Sequence, residues 1–440
     1  MALKLASEST FRRIVDTLLS AATADHTFVS FGDSESSTLR FANNQVVQNV
    51  SVRDPNVSVR VAFGKKAGST STNRLDTASL TTLVRQAETI ARLAPEDPEY
   101  LPPLPKQTYM KVPSYRDSTA TISPMELAKR TKPVIDQCAK NKLVGAGILS
   151  NGVSARGVAA SSGLFGYEQS TEAEFSLTAT EGDNSGWTYN SHRDVEALNI
   201  AARTNRAVEK ALRSREPREL PAGHYPVILE PAAVAGVFGV IFWETDAKSY
   251  YKGDSALAGK LGSTILDPRL TVRTDPAHPD LMGNGFDGNG LAVRPQVWVE
   301  NGVLKQLYYD RFTAQEHNVE PTPYPSAPIM SLSGETVKSI DDLIAQTKRA
   351  ILITNFWYIR SVDPTDLTIT GMTRDGTFLV EDGKIVCGVR NFRFHDSPLR
   401  CFQQVDAATA PMESITMESG KMLLPAVRLP DFHLSSVTKF

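Results

Sequence analysis

Cysteine is scarce in this 440-residue sequence: only Cys138, Cys387 and Cys401 occur, an odd number without CxxC spacing. That argues against a disulfide framework and against a cysteine zinc site, and leaves three reduced thiols as the simplest reading. Long apolar runs are missing as well. The longest, Ala232 to Trp243, falls well short of the ~20 residues that span a bilayer. The N-terminal MALKLASESTFRRIVD is interrupted by Glu8, Arg12, Arg13 and Asp16, so it has no apolar core of a signal peptide. A soluble, cytoplasmic protein without membrane contact is expected. An excess of one charge is lacking too: 47 basic and 49 acidic residues give a net charge of −2 with no like-charged block. No nucleic-acid partner is therefore expected. Histidine clusters are absent from the sequence; His26, His192, His224, His278, His317, His395 and His433 all lie more than ten residues apart. A zincin-type site needs imidazoles close together on one helix, so no bound metal and no cofactor are expected, although distant histidines could still converge in space.

What is present suits several modules, since single cores stop growing at roughly 250–300 residues. Phe11, Ile14, Val15, Leu18 and Leu19 recur on one helical face and predict a helix over 9–22. Runs 27–31, 38–41, 45–50 and 57–63 predict short strands, with Asn43-Asn44 suited to a tight hairpin. A second amphipathic helix is predicted over 77–93, ending before Pro95. Residues 1–95 thus read as a first module and the proline-rich 96–122 as a connector. In the second module, 123–213, Ser123-Pro124-Met125-Glu126 opens a helix by capping-box spacing. Strands are expected over 143–150, 153–160, 164–169, 173–180 and 186–191, with Asn-Gly and Ser-Gly turns, and then a helix over 194–213. A linker, 214–224, precedes a β-rich C-terminal domain, 225–440, containing a buried apolar helix from Pro231. Strands and helices are segregated, so the expected class is α+β: antiparallel β-meanders with flanking helices, then the β-rich domain.

Three further segments carry candidate chemistry. GNGFDGNG, 283–290, lacks the strand, helix and Lys-Ser/Thr of a phosphate loop and reads as a tight turn held by Asp287. Glu244 and Asp246 close the apolar helix, either as solvated residues or as a partner contact. In Phe356-Trp357-Tyr358-Ile359-Arg360, strand alternation puts Trp357 with Ile359 and Phe356 with Tyr358. One set belongs in the core or an interface; the other is free to line a groove.

GDSALAGKLG (253–262), RFANNQ (40–45) and the hairpin VWVENGVLKQLYYDRFTA (297–314) together resemble the TldD/PmbA family, whose catalytic members are zinc peptidases. The resemblance covers almost the whole chain. In catalytic members a helix carrying HExxxH lies a fixed distance before the G-x-SAL-x-G-x-LG run. Counting back without gaps puts the first His on Phe238, the Glu on Gly239 and the second His on Trp243. Aligning on Val362-Asp363-Pro364 puts the family's cysteine ligand on Trp357. None of the four can hold zinc or activate water.

The resemblance therefore implies a TldE/PmbA-type, non-catalytic subunit of a TldD/TldE-like metallopeptidase. It would pair with a TldD-type catalytic subunit, or with itself, and act on unfolded or precursor peptides, with apolar residues filling the space an ion would need. Tyr358 and Arg360 are the candidate peptide contacts. Two alternatives remain: a self-sufficient hydrolase using Glu244, His278 or Arg360, and a binding protein in line with the family's older label as a modulator of DNA gyrase.

Overall fold

The computed structural model describes residues 5–416 and 420–438; the first four residues of the N-terminal segment read above lie outside them. The chain begins with helix α1 (Glu8–Ala21), capped by Ser7, and strands β1 (His26–Ala42), β2 (Gln45–Phe63) and β3 (Lys66–Thr72). Helices α2 (Thr77–Leu93), α3 (Asp117–Thr121) and α4 (Pro124–Lys140) follow, the last capped by the Ser123 hydroxyl as its spacing predicts. Then come β4 (Val144–Ala160), β5 (Phe165–Glu181), β6 (Asn184–His192) and helix α5 (Ile200–Arg213). The four short strands expected before residue 63 are two long ones, and β4 and β5 likewise each merge two predicted strands.

Side chains explain the continuity of β1. Asp33 sits in the polar stretch that looked like a turn, but it is buried and satisfied by the Arg53 guanidinium at 2.9 Å and the Ala6 amide at 2.7 Å. Asn151-Gly152, expected to turn, lies mid-strand, paired with β1 on one side and β5 on the other. The β1–β2 turn is where the RFANNQ motif acts. Asn43 and Asn44 take φ of 51° and 58°, and the Asn44 side chain donates to the Leu143 carbonyl and accepts from the Gly145 amide. It pins the hairpin tip to β4.

All six strands form one sheet, ordered β3-β2-β1-β4-β5-β6. β1 and β4 pair from Phe28↔Ala160 to Phe41↔Gly147, so the sheet runs unbroken from the N-terminal strands to those beyond the proline-rich segment. Odd-numbered β1 residues such as Val29, Phe31, Leu39 and Phe41 pack under the helices.

The remaining elements are β7 (Gly223–Leu229), α6 (Pro231–Phe238), α7 (Ala247–Lys252), β8 (Leu270–Thr274), β9 (Gln296–Glu300), β10 (Val303–Leu304), α8 (Arg311–Glu316), β11 (Pro328–Leu332), α9 (Ile340–Ala345), β12 (Arg349–Asp363), β13 (Thr368–Glu381), β14 (Lys384–Gly388), β15 (Phe392–Asp396), α10 (Pro398–Cys401), β16 (Ala407–Ala408), β17 (Met412–Thr416), β18 (Gly420–Leu424) and β19 (Val427–Val437). One sheet runs β10-β9-β8-β11-β18-β17. The other runs β12-β7-β19-β15-β13-β14, and because β12 also pairs with β13, five strands close on themselves. The apolar α6, buried on nearly all sides as its composition demands, belongs to the core shared with these strands. The α+β class with a β-rich C-terminal region is thus what the chain adopts. Among the described residues no helix is long and apolar enough to cross a membrane.

Candidate functional site

The apolar helix ends early. After Phe238 the backbone tightens into a 3-10 turn, Gly239–Thr245, which rotates successive side chains differently from an α-helix. Phe238 points inward, 1% exposed, with edge-to-face contacts to Phe242 at 5.8 Å and Phe402 at 5.6 Å. Gly239 and Trp243 instead line a cavity of about 370 Å³ with Ala235, Gly236 and Val240. Its other walls are Met282, Tyr324 to Pro328, Ile359, Lys421 and Met422. Trp243 is 64% exposed at the rim. Of the positions inferred from the family pattern, Phe238 fills core space, whereas Gly239 and Trp243 leave the cavity open. The expectation that all would plug it fails because glycine has no side chain and the 3-10 turn swings Trp243 outward.

Trp357 lies elsewhere: it does not line the cavity, and its ring packs under the Arg374 guanidinium at 4.9 Å. β12 reaches the cavity through Ile359, whose Cδ1 would stand 3.0 Å from a Cβ added to Gly236. The cause is a break in alternation. Tyr358 takes φ of 58°, and the pairing with β13 slips between Trp357 and Arg360. Phe356 and Tyr358 therefore do not share an environment. Phe356 is 4% exposed and packs on Phe394 and Phe432, while Tyr358 is 54% exposed beneath the Arg360 guanidinium at 4.1 Å.

The carboxylates after the helix have structural work. Glu244 accepts from the Ala256 amide at 2.8 Å, and its carbonyl accepts from the Ser255 hydroxyl at 2.7 Å, fixing the GDSALAGKLG loop. Asp246 caps α7 through the Ser249 amide. His278 accepts from the Asp280 amide, and neither it nor Arg360 lines the cavity. Glu244, His278 and Arg360 are thus each engaged locally rather than gathered. The GNGFDGNG loop is likewise a plug: Asp287 accepts from the Asn289 and Leu291 amides, and Phe286 packs on Tyr109 at 4.9 Å.

A zinc centre needs three or four nitrogen, sulfur or carboxylate donors around one point. Among the described residues the cavity wall supplies no His, Cys, Asp or Glu, and no group of three or more such side chains is gathered for a metal. The residues here do not fit the ion. Lys421, the one basic side chain in the wall, is directed away to Glu413 at 2.7 Å and to the Ser191 carbonyl. Burial lowers its pKa, against the opposing pull of Glu413.

At the opposite end of α6 lies a buried charged junction. Glu230 sits just before Pro231, and its carboxylate meets Lys210 at 2.6 Å and Arg206 at 3.1 Å, both from α5. Burial alone would raise the Glu230 pKa, but the two cations outweigh it and hold it down at about 2. Burial, only partly offset by Glu230, lowers Lys210 to about 8. These residues border a second cavity of about 830 Å³ between α5, β6 and the C-terminal strands. Nothing in the local sequence marks either cavity, because each wall is assembled from at least four separate segments.

Comparison with known proteins fits this architecture. The models of PmbA/TldA metallopeptidase domain 1 and of the PmbA/TldA metallopeptidase C-terminal domain match residues 29–91 and 222–436, together more than half of the chain. A metalloprotease of Methanothermobacter thermautotrophicus is 27% identical over 241 residues, 51% of this chain and 50% of its own. A metalloprotease TldD homolog of Buchnera aphidicola is 24% identical over 253 residues, 53% of this chain and 51% of its own. The chain spans about half the length of these curated relatives. The crystal structure of TldE from Thermococcus kodakarensis superposes with a TM-score of 0.86, covering 96% of this chain and 99% of that one at 19% identity, a likeness of fold. With two of the family's domain models matched in order, and its hairpin and SAL-type loop performing identifiable structural roles, the chain belongs to the TldD/PmbA family.

Proposed function

We propose that this chain is the metal-ligand-deficient subunit of a TldD/TldE-like metallopeptidase, paired with a TldD-type catalytic subunit and acting on unfolded or precursor peptides. One observation carries the reading: the cavity beside Gly239 and Trp243 is kept open, yet among the described residues its wall holds no His, Cys, Asp or Glu to ligate zinc. A cavity that has lost its ion but not its shape suits a partner or peptide surface. Trp243, Tyr324 and Tyr358 are exposed apolar side chains at or near its rim, and such aromatics dominate recognition surfaces. Tyr358, with Arg360 stacked on it, remains the first candidate peptide contact.

The test is hydrolysis of an unfolded peptide by the purified chain alone and after addition of a TldD-type partner. Activity only with the partner, lost on Trp243→Ala or Tyr358→Ala, supports the reading. Chelator-sensitive hydrolysis by the lone chain would sink it.

A further inference from the structure

The cavity of about 830 Å³ beyond the N-terminal end of α6 holds charges that do not cancel locally. Helix α5 contributes Arg203, Arg206 and Lys210 to its wall, spaced three and four residues apart and so on one helical face. The carboxylates that answer them are shared. Glu230, 6% exposed, serves both Lys210 at 2.6 Å and Arg206 at 3.1 Å. Glu413 serves both Arg203 at 3.0 Å and, from behind the wall, Lys421 at 2.7 Å. Two carboxylates thus carry four cations. The rest of the wall restores only part of the difference: Glu209 is matched by its own Arg213 at 2.6 Å, and Asp341 stands exposed in the first turn of α9.

Hydrogen-bond donors are left over as well. Of the five N–H groups of its guanidinium, Arg206 gives one to Glu230, and its side chain is half exposed. Thr354 of β12, 2% exposed, lines the same cavity, and its hydroxyl has no hydrogen-bond partner among the described residues. A buried hydroxyl left unpaired is costly, and such a group calls for an occupant that pairs it. The wall also includes the apolar side chains of Leu352, Phe378, Ile344 and Met412. A bare inorganic anion would lose its water against them without compensation. A carboxylate on an apolar body suits both kinds of wall, because the planar guanidinium fork matches a planar carboxylate.

We propose that this cavity binds the C-terminal carboxylate of a peptide ending in an apolar residue, with Arg206 gripping the carboxylate, Thr354 donating a hydrogen bond to the bound end, and Leu352 and Phe378 taking the last side chain. That the ligand is a peptide rests on the function proposed above; that it is an apolar carboxylate rests on the wall itself.

Acetyl-Ala-Ala-Leu is titrated calorimetrically into the full chain as the free acid and as the C-terminal amide, with no partner subunit present. About one equivalent of the acid should bind, at least about tenfold tighter than the amide, and the preference should shrink as salt is raised. Arg206→Met, which leaves Glu230 its closer partner Lys210, should abolish the preference. Thr354→Val, which touches no charge, should weaken the acid by about three- to tenfold, and Arg349→Met, an exposed arginine outside the cavity, should change nothing. No binding of the acid, equal binding of acid and amide, or an acid preference that survives Arg206→Met overturns the proposal. Any of these leaves the partner-dependent hydrolysis test untouched, whereas chelator-sensitive hydrolysis by the lone chain would sink the proposed function and leave the acid–amide difference standing.

Discussion

The two ends of α6 are walled differently. At its N-terminal end a buried carboxylate, Glu230, is answered by Lys210 and Arg206, and the favourable end of the helix dipole adds to that support. At its C-terminal end the described walls around Gly239 and Trp243 carry one charged side chain, Lys421, and it is answered by Glu413 from outside the wall. The pair of ends teaches that this core accepts ionised groups only where their partners are built in. Where no partner is built in, the described wall is lined mostly by apolar side chains, because an unpaired buried charge costs several kcal/mol.

The comparison can be broken most forcefully at the charged end. Glu230→Ala leaves Lys210 buried without its partner and should cost about 3–5 kcal/mol in urea denaturation, whereas the Glu230→Leu/Lys210→Met double variant should recover most of it. Recovery no better than the single variant would mean that the pair does more than satisfy its own burial. Next, Phe238→Ala should cost about 3 kcal/mol, near the low end for a buried phenylalanine because the neighbouring cavity lets the walls relax. Trp243→Ala, two-thirds exposed, should change the same midpoint by less than about 1 kcal/mol. Equal losses would erase the distinction between core and rim.

Acid sharpens the contrast further. The Glu230 pKa is depressed from 4.5 to about 2, so its contribution is fully present above pH 4.5 and fades as pH falls toward 2. A Glu230→Gln variant should lack that part of the acid-stability profile, by about 3 kcal/mol, while Trp243→Ala should retain it. The smallest effect belongs to Tyr358→Gly. Glycine relieves a positive φ but loses the Arg360 stacking, so stability should move by less than about 1 kcal/mol in either direction.

Helices were the most legible part of the sequence. The 77–93 prediction coincides with α2, because its apolar spacing and its end before Pro95 are both local. Strands were legible in place but not in length. The polar stretch around Asp33 and the Asn151-Gly152 pair look like turns until neighbouring strands and a distant arginine satisfy them. At the site, counting residues located Gly239 and Trp243, which both line the same cavity. The outward Trp243, the displaced Trp357 and the substitution of Ile359 as the strand's contribution could not be read in this way, since a 3-10 turn and a single left-handed tyrosine shift the faces without any sequence signal.

The pairing of β1 with β4 has a consequence for biosynthesis. A chain leaving the ribosome exposes one whole flank of β1 until residues 144–160 have been made, more than a hundred positions later. Such a vacant strand flank invites the wrong neighbour, and distant pairings form slowly. A nascent chain stalled near residue 100 should therefore be the form most in need of a chaperone.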